Sequence, residues 1–288
     1  IYQYISDKYP EDEIKFDKNK IRIFTLDIET GAENGFPDIE SADQEILLIS
    51  VKDSYMNTIT VFGTRPFDNK HDDVLYMHFN TEIGMLKAFI HWWMENFPDV
   101  ITGWNVQLFD MPYIFRRIER VIGTKEAEML SPWKTILSRE IYIKGRKNIA
   151  YDIMGIAILD YLELYRKFTY TNQESYRLDH IAFVELGSQK LDHSEHDTFK
   201  DFYTNDWQKF VEYNIIDVRL VDQLDDKMKL IELAITMAYD AKVNYEDVYS
   251  QVRMWDNIIY VYLAKQKIAI PPKKESRKDN KYAGAYVK

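Results

Sequence analysis

Three groups of residues stand where carboxylate chemistry is possible. Asp27-Ile28-Glu29 closes the run Ile21-Arg22-Ile23-Phe24-Thr25-Leu26, which is apolar at nearly every position, as in a central strand covered on both faces. Strand residues i and i+2 share a face, so Asp27 and Glu29 project together while Ile28 points to the core. Side-by-side carboxylates repel unless one is protonated or a cation bridges them, and oxygen donors of this kind suit Mg²⁺ or Mn²⁺. Taken alone, the pair also fits two solvated acids at a strand–loop boundary. Asp110 ends Thr102-Gly103-Trp104-Asn105-Val106-Gln107-Leu108-Phe109-Asp110, where a strand runs into a loop and the loop into a helix. An N-cap there would by itself account for an Asp. Tyr213 and Asp217, in Tyr213-Asn214-Ile215-Ile216-Asp217, are four apart and share one face of a long helix. An Asp amid Ile215, Ile216 and Val218 is poorly placed by helix propensity, although one such pair is also ordinary structure. In combination, the three groups can converge at one edge of a sheet.

The elements that must bring them there are legible in outline. From Ile21 to Phe79 the pattern is strand-like: Glu45 to Val51, Thr58 to Phe62 and Val74 to Phe79 follow the first strand, and short connections predict antiparallel pairing. Ile83, Leu86, Ile90, Trp93 and Phe97 then recur at helical spacing, ended by Pro98, with the Trp92-Trp93 pair supplying core and rim of that helix. Asp99 to Trp104 reads as a strand returning to the sheet. Met111 to Ile122 reads as a helix with Asp110 at its N-cap and Pro112 in its first turn. Glu140 to Ile143 and Asn148 to Asp152 flank Lys144-Gly145-Arg146-Lys147, a hairpin with a basic tip. Residues 185–205 show no sustained periodicity and read as a surface loop. Asn205 to Ala241 and Tyr245 to Lys265 read as helical, giving one α/β domain with a helical end.

Composition bounds the function. The 288 residues are 46% apolar and 29% charged, with 21 Tyr, 15 Phe and 6 Trp, a balance that excludes disorder, collagen and coiled-coil rods. No apolar run is long enough to span a bilayer, so no membrane partner is expected. The absence of cysteine excludes disulfides and thiolate chemistry and favours a reducing compartment. A net charge of −10 argues against coating nucleic acid by bulk phosphate neutralisation, and is compatible with carboxylates gathered around metal ions. The chain begins at Ile1, and Pro271-Pro272 with the Lys-rich stretch after it reads as a linker cut within a longer protein. His193 and His196 are read as part of a solvated loop, and Asp222, Asp225 and Asp226 as a solvated helix face.

The order Asp-x-Glu, Asn-x-x-x-Phe-Asp, Tyr-x-x-x-Asp resembles the three motifs of the DEDD 3′–5′ exonucleases in their tyrosine form. Ile101 to Asn105, Ile158-Leu159-Asp160-Tyr161, Phe168 to Gln173, Tyr213 to Val218 and Trp255 to Ile259 extend the resemblance to the replicative family B DNA polymerases of T-even-type bacteriophages. It covers the whole chain, and Tyr282 to Val287 resembles the segment before the first polymerase motif; no palm, fingers or thumb follows. The resemblance implies an RNase H-like fold, a mixed central sheet flanked by helices with an inserted hairpin. Residues 1–20 would end a preceding region, 21–241 form the exonuclease domain, and 242–288 lead towards a palm. It also implies proofreading hydrolysis of single-stranded or mismatched DNA 3′ ends with two divalent cations, Mg²⁺ or Mn²⁺, in the cytoplasm of a host cell. Asp27 would bridge both metals, Glu29 and Asp217 would complete one site, Asp110 would hold the second, and Tyr213 would orient the attacking water. Phe36 would stack on an unpaired base or, alternatively, pin its own loop. Asn105 would touch the terminal nucleotide or stabilise its loop, and Arg146 and Lys147 at the hairpin tip would contact primer-template DNA. A non-catalytic scaffold for primer-template and a free-standing nuclease on other single strands are the rival readings.

Overall fold

Alternation along the first apolar run decides how the sheet is covered. The computed structural model describes residues 17–33, 35–143, 146–187 and 196–270, and of residues 142, 143 and 146–148 only the backbone. Strand β1 (Ile23–Thr30) pairs antiparallel with β2 (Ile46–Asp53), which pairs antiparallel with β3 (Thr58–Gly63). On its other side β1 pairs parallel with β5 (Val100–Thr102). With β4 (Val74–His78) and β8 (Ala157–Ile158) at the edges, the order is β4-β3-β2-β1-β5-β8, a mixed sheet with β1 near its centre.

Phe24, Leu26 and Ile28 point to one face, where they pack with Met85, Leu86, Phe89 and Trp93 of helix α1 (Glu82–Glu95) and with Ile114 and Ile118 of α2 (Asp110–Val121). Thr25, Asp27 and Glu29 therefore turn to the opposite face. There Leu48, Ile59 and Val61 pack against Phe210, Val211, Ile215 and Val218 of the long helix α7 (Trp207–Met228). The elements between are α3 (Thr124–Glu128), α4 (Tyr161–Phe168), α5 (Leu178–Leu186) and α6 (Phe199–Asn205); α7 spans Trp207–Met228, and α8 (Leu230–Ala241) and α9 (Gln251–Lys265) follow. Helices thus cover both faces, as an RNase H-like exonuclease fold requires. No helix among the described residues is long and apolar enough to cross a membrane.

Several expectations are corrected. Strand β4 runs parallel to β3, because the 64–73 connection is long enough to carry the chain back before pairing. Ile83 is exposed, and the buried stripe runs through Met85, Leu86, Phe89, Ile90 and Trp93. Thr81 caps α1 by accepting from the Gly84 N–H, and Glu82 turns inward onto Arg117, which sets that face. The N-cap of α2 is Phe109, and Asp110 is its first helical residue. The 185–205 loop contains α6, capped by Thr198 and anchored by buried Phe202 and Tyr203; two turns are too few to show a period. His196 is not solvated: its ring stacks on Phe202 at 5.1 Å and bonds Asp201, while His193 lies outside the described residues. The helix read from Asn205 to Ala241 breaks at Lys229, whose φ of 55° is left-handed. Asp225 accepts from the Ile231 N–H across that break and Asp222 pairs with Lys52, so these two are engaged with the fold, while Asp226 stays on the exposed face beside Lys229.

The hairpin is present and longer than its motif suggests: β6 (Ile136–Ile143) and β7 (Arg146–Ile153) form a separate two-stranded sheet. Its base is built into the core, where Tyr151 meets Phe115 with ring centroids 4.6 Å apart. Lys144 and Gly145, at its tip, lie outside the described residues, as do the side chains of Arg146 and Lys147.

Candidate active site

Because Asp27 and Glu29 occupy alternate positions of β1 on the α7 side, helix α7 can set a third carboxylate beside them. One oxygen from each of Asp27, Glu29 and Asp217 lies within 4.8 Å of the others. Glu29 and Asp217 are buried and Asp27 is half-buried. Three anionic oxygens held this close in a partly dry setting can hold a divalent cation, which removes the repulsion among them.

Asp27 is fixed by a residue that sequence reasoning passed over. Its Oδ2 accepts from Asn214 Nδ2 at 2.6 Å, and the Asn214 carbonyl accepts in turn from the Ser50 hydroxyl. Ser50 is the cross-strand partner of Asp27, and Asn214 is fully buried. The signal was available: Asn214 stands three residues before Asp217 on one helix face, and Ser50 interrupts the aliphatic run from Ile46 to Val51.

Asp110 approaches from the other side of β1. Its Oδ1 accepts from the Ile28 N–H at 3.1 Å, the amide between Asp27 and Glu29. It stands outside the three-acid group, 3% exposed. Burial pushes its carboxyl up to about 7, with Asp160 and Asp217 acting in the same direction and the Ile28 amide opposing them. In the metal-free protein the folded state therefore keeps a proton that the unfolded chain has released. The stability this contributes is full below the ordinary pKa of 3.8 and is lost as pH rises through about 7. Thermal melts in chelator should accordingly fall between about pH 4 and pH 7, and Asp110→Asn should flatten that fall. An unchanged pH profile in the variant would rule out a buried, raised Asp110.

The cleft beside these acids has a volume of about 560 Å³ and is lined by Asp27, Asp217, Tyr213, Trp104 and Asn105 together with the Tyr176–Asp179 segment. Tyr213 meets Phe202 edge-on at 5.9 Å, which sets its ring at the cleft wall. The loop that carries Asn105 is held by Asp160, a fully buried carboxylate that the sequence motif did not mark as a site residue. Asp160 accepts from the Asn105 and Gln107 amides at 3.2 and 3.0 Å and caps α4 through the Leu162 N–H at 3.0 Å. Burial pushes it up to about 6. Asn105 itself is left-handed, φ 69°. Gly103 is required before it, since a Cβ there would lie 2.4 Å from the Leu26 carbonyl oxygen.

Phe36 is 84% exposed and leans on Phe109, the residue before Asp110, at 5.5 Å. Phe109 stacks on Tyr113, whose hydroxyl donates to the Gln44 carbonyl, so the ring is tethered to the core while most of its surface stays open.

Comparison with known proteins agrees with this arrangement. The family model described as DNA polymerase family B, exonuclease domain, matches residues 2–181. The "DNA-directed DNA polymerase" of Escherichia phage RB69 is 34% identical over 99% of this chain, and that of Enterobacteria phage T4 is 33% identical over the same share. The "DNA polymerase delta catalytic subunit" of Caenorhabditis elegans is 30% identical over 48% of the chain. The chain spans about a third of the length of the two phage relatives, 34% of each. The family match runs through Asp27, Glu29 and Asp110, the phage alignments continue past Tyr213 and Asp217, and the chain accordingly belongs to the exonuclease domains of the family B DNA polymerases.

Proposed function

We propose that residues 21–241 are the proofreading unit of a longer polymerase, hydrolysing single-stranded or mismatched DNA from the 3′ end with two divalent cations. The convergence of Asp27, Glu29 and Asp217 within 4.8 Å, with Asp110 behind the Ile28 amide, carries this reading. Asp27, Glu29 and Asp217 would hold one cation, and Asp27 with Asp110 the second, Mg²⁺ or Mn²⁺ in each case. A bound pair of this kind supplies a nucleophilic water at neutral pH and stabilises the leaving 3′ oxygen. Asn214 keeps the Asp27 carboxylate in one orientation through that process. The palm, fingers and thumb of the parent chain are the partners this reading requires, and a replication role places it where phage DNA is copied, in the host cell.

The decisive experiment is a digestion ladder on a single strand labelled at either end, with Mg²⁺, Mn²⁺ or chelator. Stepwise shortening from the 3′ end that chelator abolishes is the expected result; shortening from the 5′ end, or digestion in chelator, would refute the reading.

Tyr213 is the group placed to orient the attacking water. A tyrosine hydroxyl is a weak base, so its role there is to direct the water by hydrogen bonding and not to take its proton. Tyr213→Phe should slow single-turnover hydrolysis by about 10- to 100-fold, the scale of one lost orienting hydrogen bond, with the Mg²⁺ dependence unchanged. A shift in the Mg²⁺ midpoint would mean that Tyr213 helps to hold the metal.

DNA must be held by a few local contacts, because a net charge of −10 forbids broad phosphate neutralisation. Phe36 is positioned to stack on an unpaired base, an interaction worth roughly 1–3 kcal/mol and indifferent to base identity. Arg146 and Lys147 in the hairpin are candidates for primer-template contacts. Each pair that must open before an end reaches the acids costs about 1.4 kcal/mol, roughly tenfold in accessible end, so mismatched termini should be cut faster than paired ones. Phe36→Ala should weaken single-strand binding by about 5- to 100-fold and reduce that discrimination. Titration by fluorescence anisotropy and rates on matched and mismatched primers measure both; unchanged affinity would leave Phe36 as a loop anchor only.

A further inference from the structure

Among the described residues, one cation lines the acidic cleft without an ion-pair partner. Of the described residues lining the cavity that holds Asp27, Asp217 and Asp179, Arg177 is the sole basic one. It is exposed and forms no ion pair with any carboxylate among the described residues. Its neighbours behave differently. Arg166, on the adjoining helix α4, bonds Glu163 at 2.9 Å and lies 4.7 Å over the Tyr176 ring, so its charge is already engaged. Arg139 and Arg253 are likewise paired, with Asp152 and Asp247.

The backbone that carries Arg177 is fixed against the catalytic loop. The Trp104 indole N–H donates to the Tyr176 carbonyl at 3.1 Å, tying the residue before Arg177 to the residue before Asn105. The Trp104 ring meets Tyr161 and Tyr165 at 6.4 and 6.3 Å, and Leu178, the residue after Arg177, is buried in the same cluster. A long cationic side chain on an anchored backbone, facing a cleft of acids without pairing to one, is left for an anion brought by the substrate.

We infer that Arg177 binds a backbone phosphate of the substrate strand, the phosphodiester next to the one being cut. This rests on the nuclease reading above. Cations held by Asp27, Glu29 and Asp217 would neutralise the scissile phosphate, which would leave the neighbouring diester as the charge still lacking a partner. A guanidinium suits that diester because its planar fork donates to two phosphate oxygens at once. The contact reads no base, so it adds affinity without sequence preference.

The test uses the 288-residue chain with Mg²⁺ and single-stranded oligothymidylate and oligoadenylate, comparing Arg177→Gln and Arg177→Lys across a salt series. Arg177→Gln should raise KM about 10-fold on both substrates, with kcat within about 2-fold of wild type, since a ground-state phosphate contact is lost. The slope of log kcat/KM against log salt should become shallower by about 0.7, the value for one phosphate contact on a single strand. Arg177→Lys should recover most of the affinity and the slope, and neither melting temperature should move. Unchanged KM and salt slope in Arg177→Gln would overturn the inference, as would a fall in kcat at constant KM. If the wild-type chain cuts no single strand, the nuclease reading falls and this one with it; cleavage that ignores Arg177 removes this one alone.

Discussion

Asp27→Ala should bring hydrolysis down by a factor of about 1,000 or more, because the several kcal/mol supplied by a metal pair disappear with the only carboxylate proposed to touch both ions. The fold should survive. Removing Asp27 relieves repulsion with Glu29 and Asp217, and it also strips Asn214 Nδ2 of its 2.6 Å acceptor in a fully buried position. The lost bond costs about 1–3 kcal/mol, which opposes the relief, so the melting temperature in chelator should change little. The two proteins should separate when Mg²⁺ is added. Wild type gains stability by mass action as the ion fills the site, and the variant gains much less. Near-normal cleavage by purified Asp27→Ala would end the metal assignment, and equal Mg²⁺ stabilisation of the two proteins would place the ion elsewhere.

The parts of the site that could be read from the sequence are those governed by local geometry. Period two in β1 puts Asp27 and Glu29 on one face, and spacing of four puts Tyr213 and Asp217 on another; the fold had only to bring those faces together. What could not be read depended on long-range partners. Asp110 looked like a helix cap because a cap is the commonest local use of an Asp before a helix. Its actual acceptor role is towards Ile28, 82 residues away in the chain. Ser50 and Asn214 are ordinary residues until cross-strand register and the docking of α7 set them behind Asp27. Asp160 looked like part of a family motif, and only the folded loop shows it gathering the amides around Asn105. In the sheet, antiparallel pairing followed where connections were tight and failed at β4, where the chain had enough length to cross back.

The largest effect on stability should come from a pair that touches no substrate. Glu82 and Arg117 are 7% and 6% exposed and meet in a bidentate contact: Arg117 Nε donates to Glu82 Oε1 and its NH2 nitrogen to Oε2, both at 2.7 Å. Both hydrogens of the third guanidinium nitrogen are used as well. Arg117 reaches the Ala42 and Asp43 carbonyls at 2.9 and 3.1 Å, and Glu82 Oε1 also accepts from the Ile46 N–H at 2.7 Å. One ion pair thus joins α1, α2 and the turn entering β2, and α2 is the helix whose first residue is Asp110. Glu82→Ala leaves a guanidinium buried without its counter-charge, which should cost about 3–5 kcal/mol and lower the melting temperature by on the order of 10 °C. Removing both charges is a different matter. Glu82→Leu with Arg117→Met should recover only part of that loss: the lone buried charge is gone, but the Ile46 N–H and the Ala42 and Asp43 carbonyls lose their partners. If the pair also sets the tilt of α2, the double variant should melt above Glu82→Ala and still hydrolyse DNA more slowly than wild type, because Asp110 would no longer be held square to the Ile28 amide. A single variant as stable as wild type would show that Arg117 reaches water when Glu82 is lost, and that this junction is not what holds α2 against the sheet.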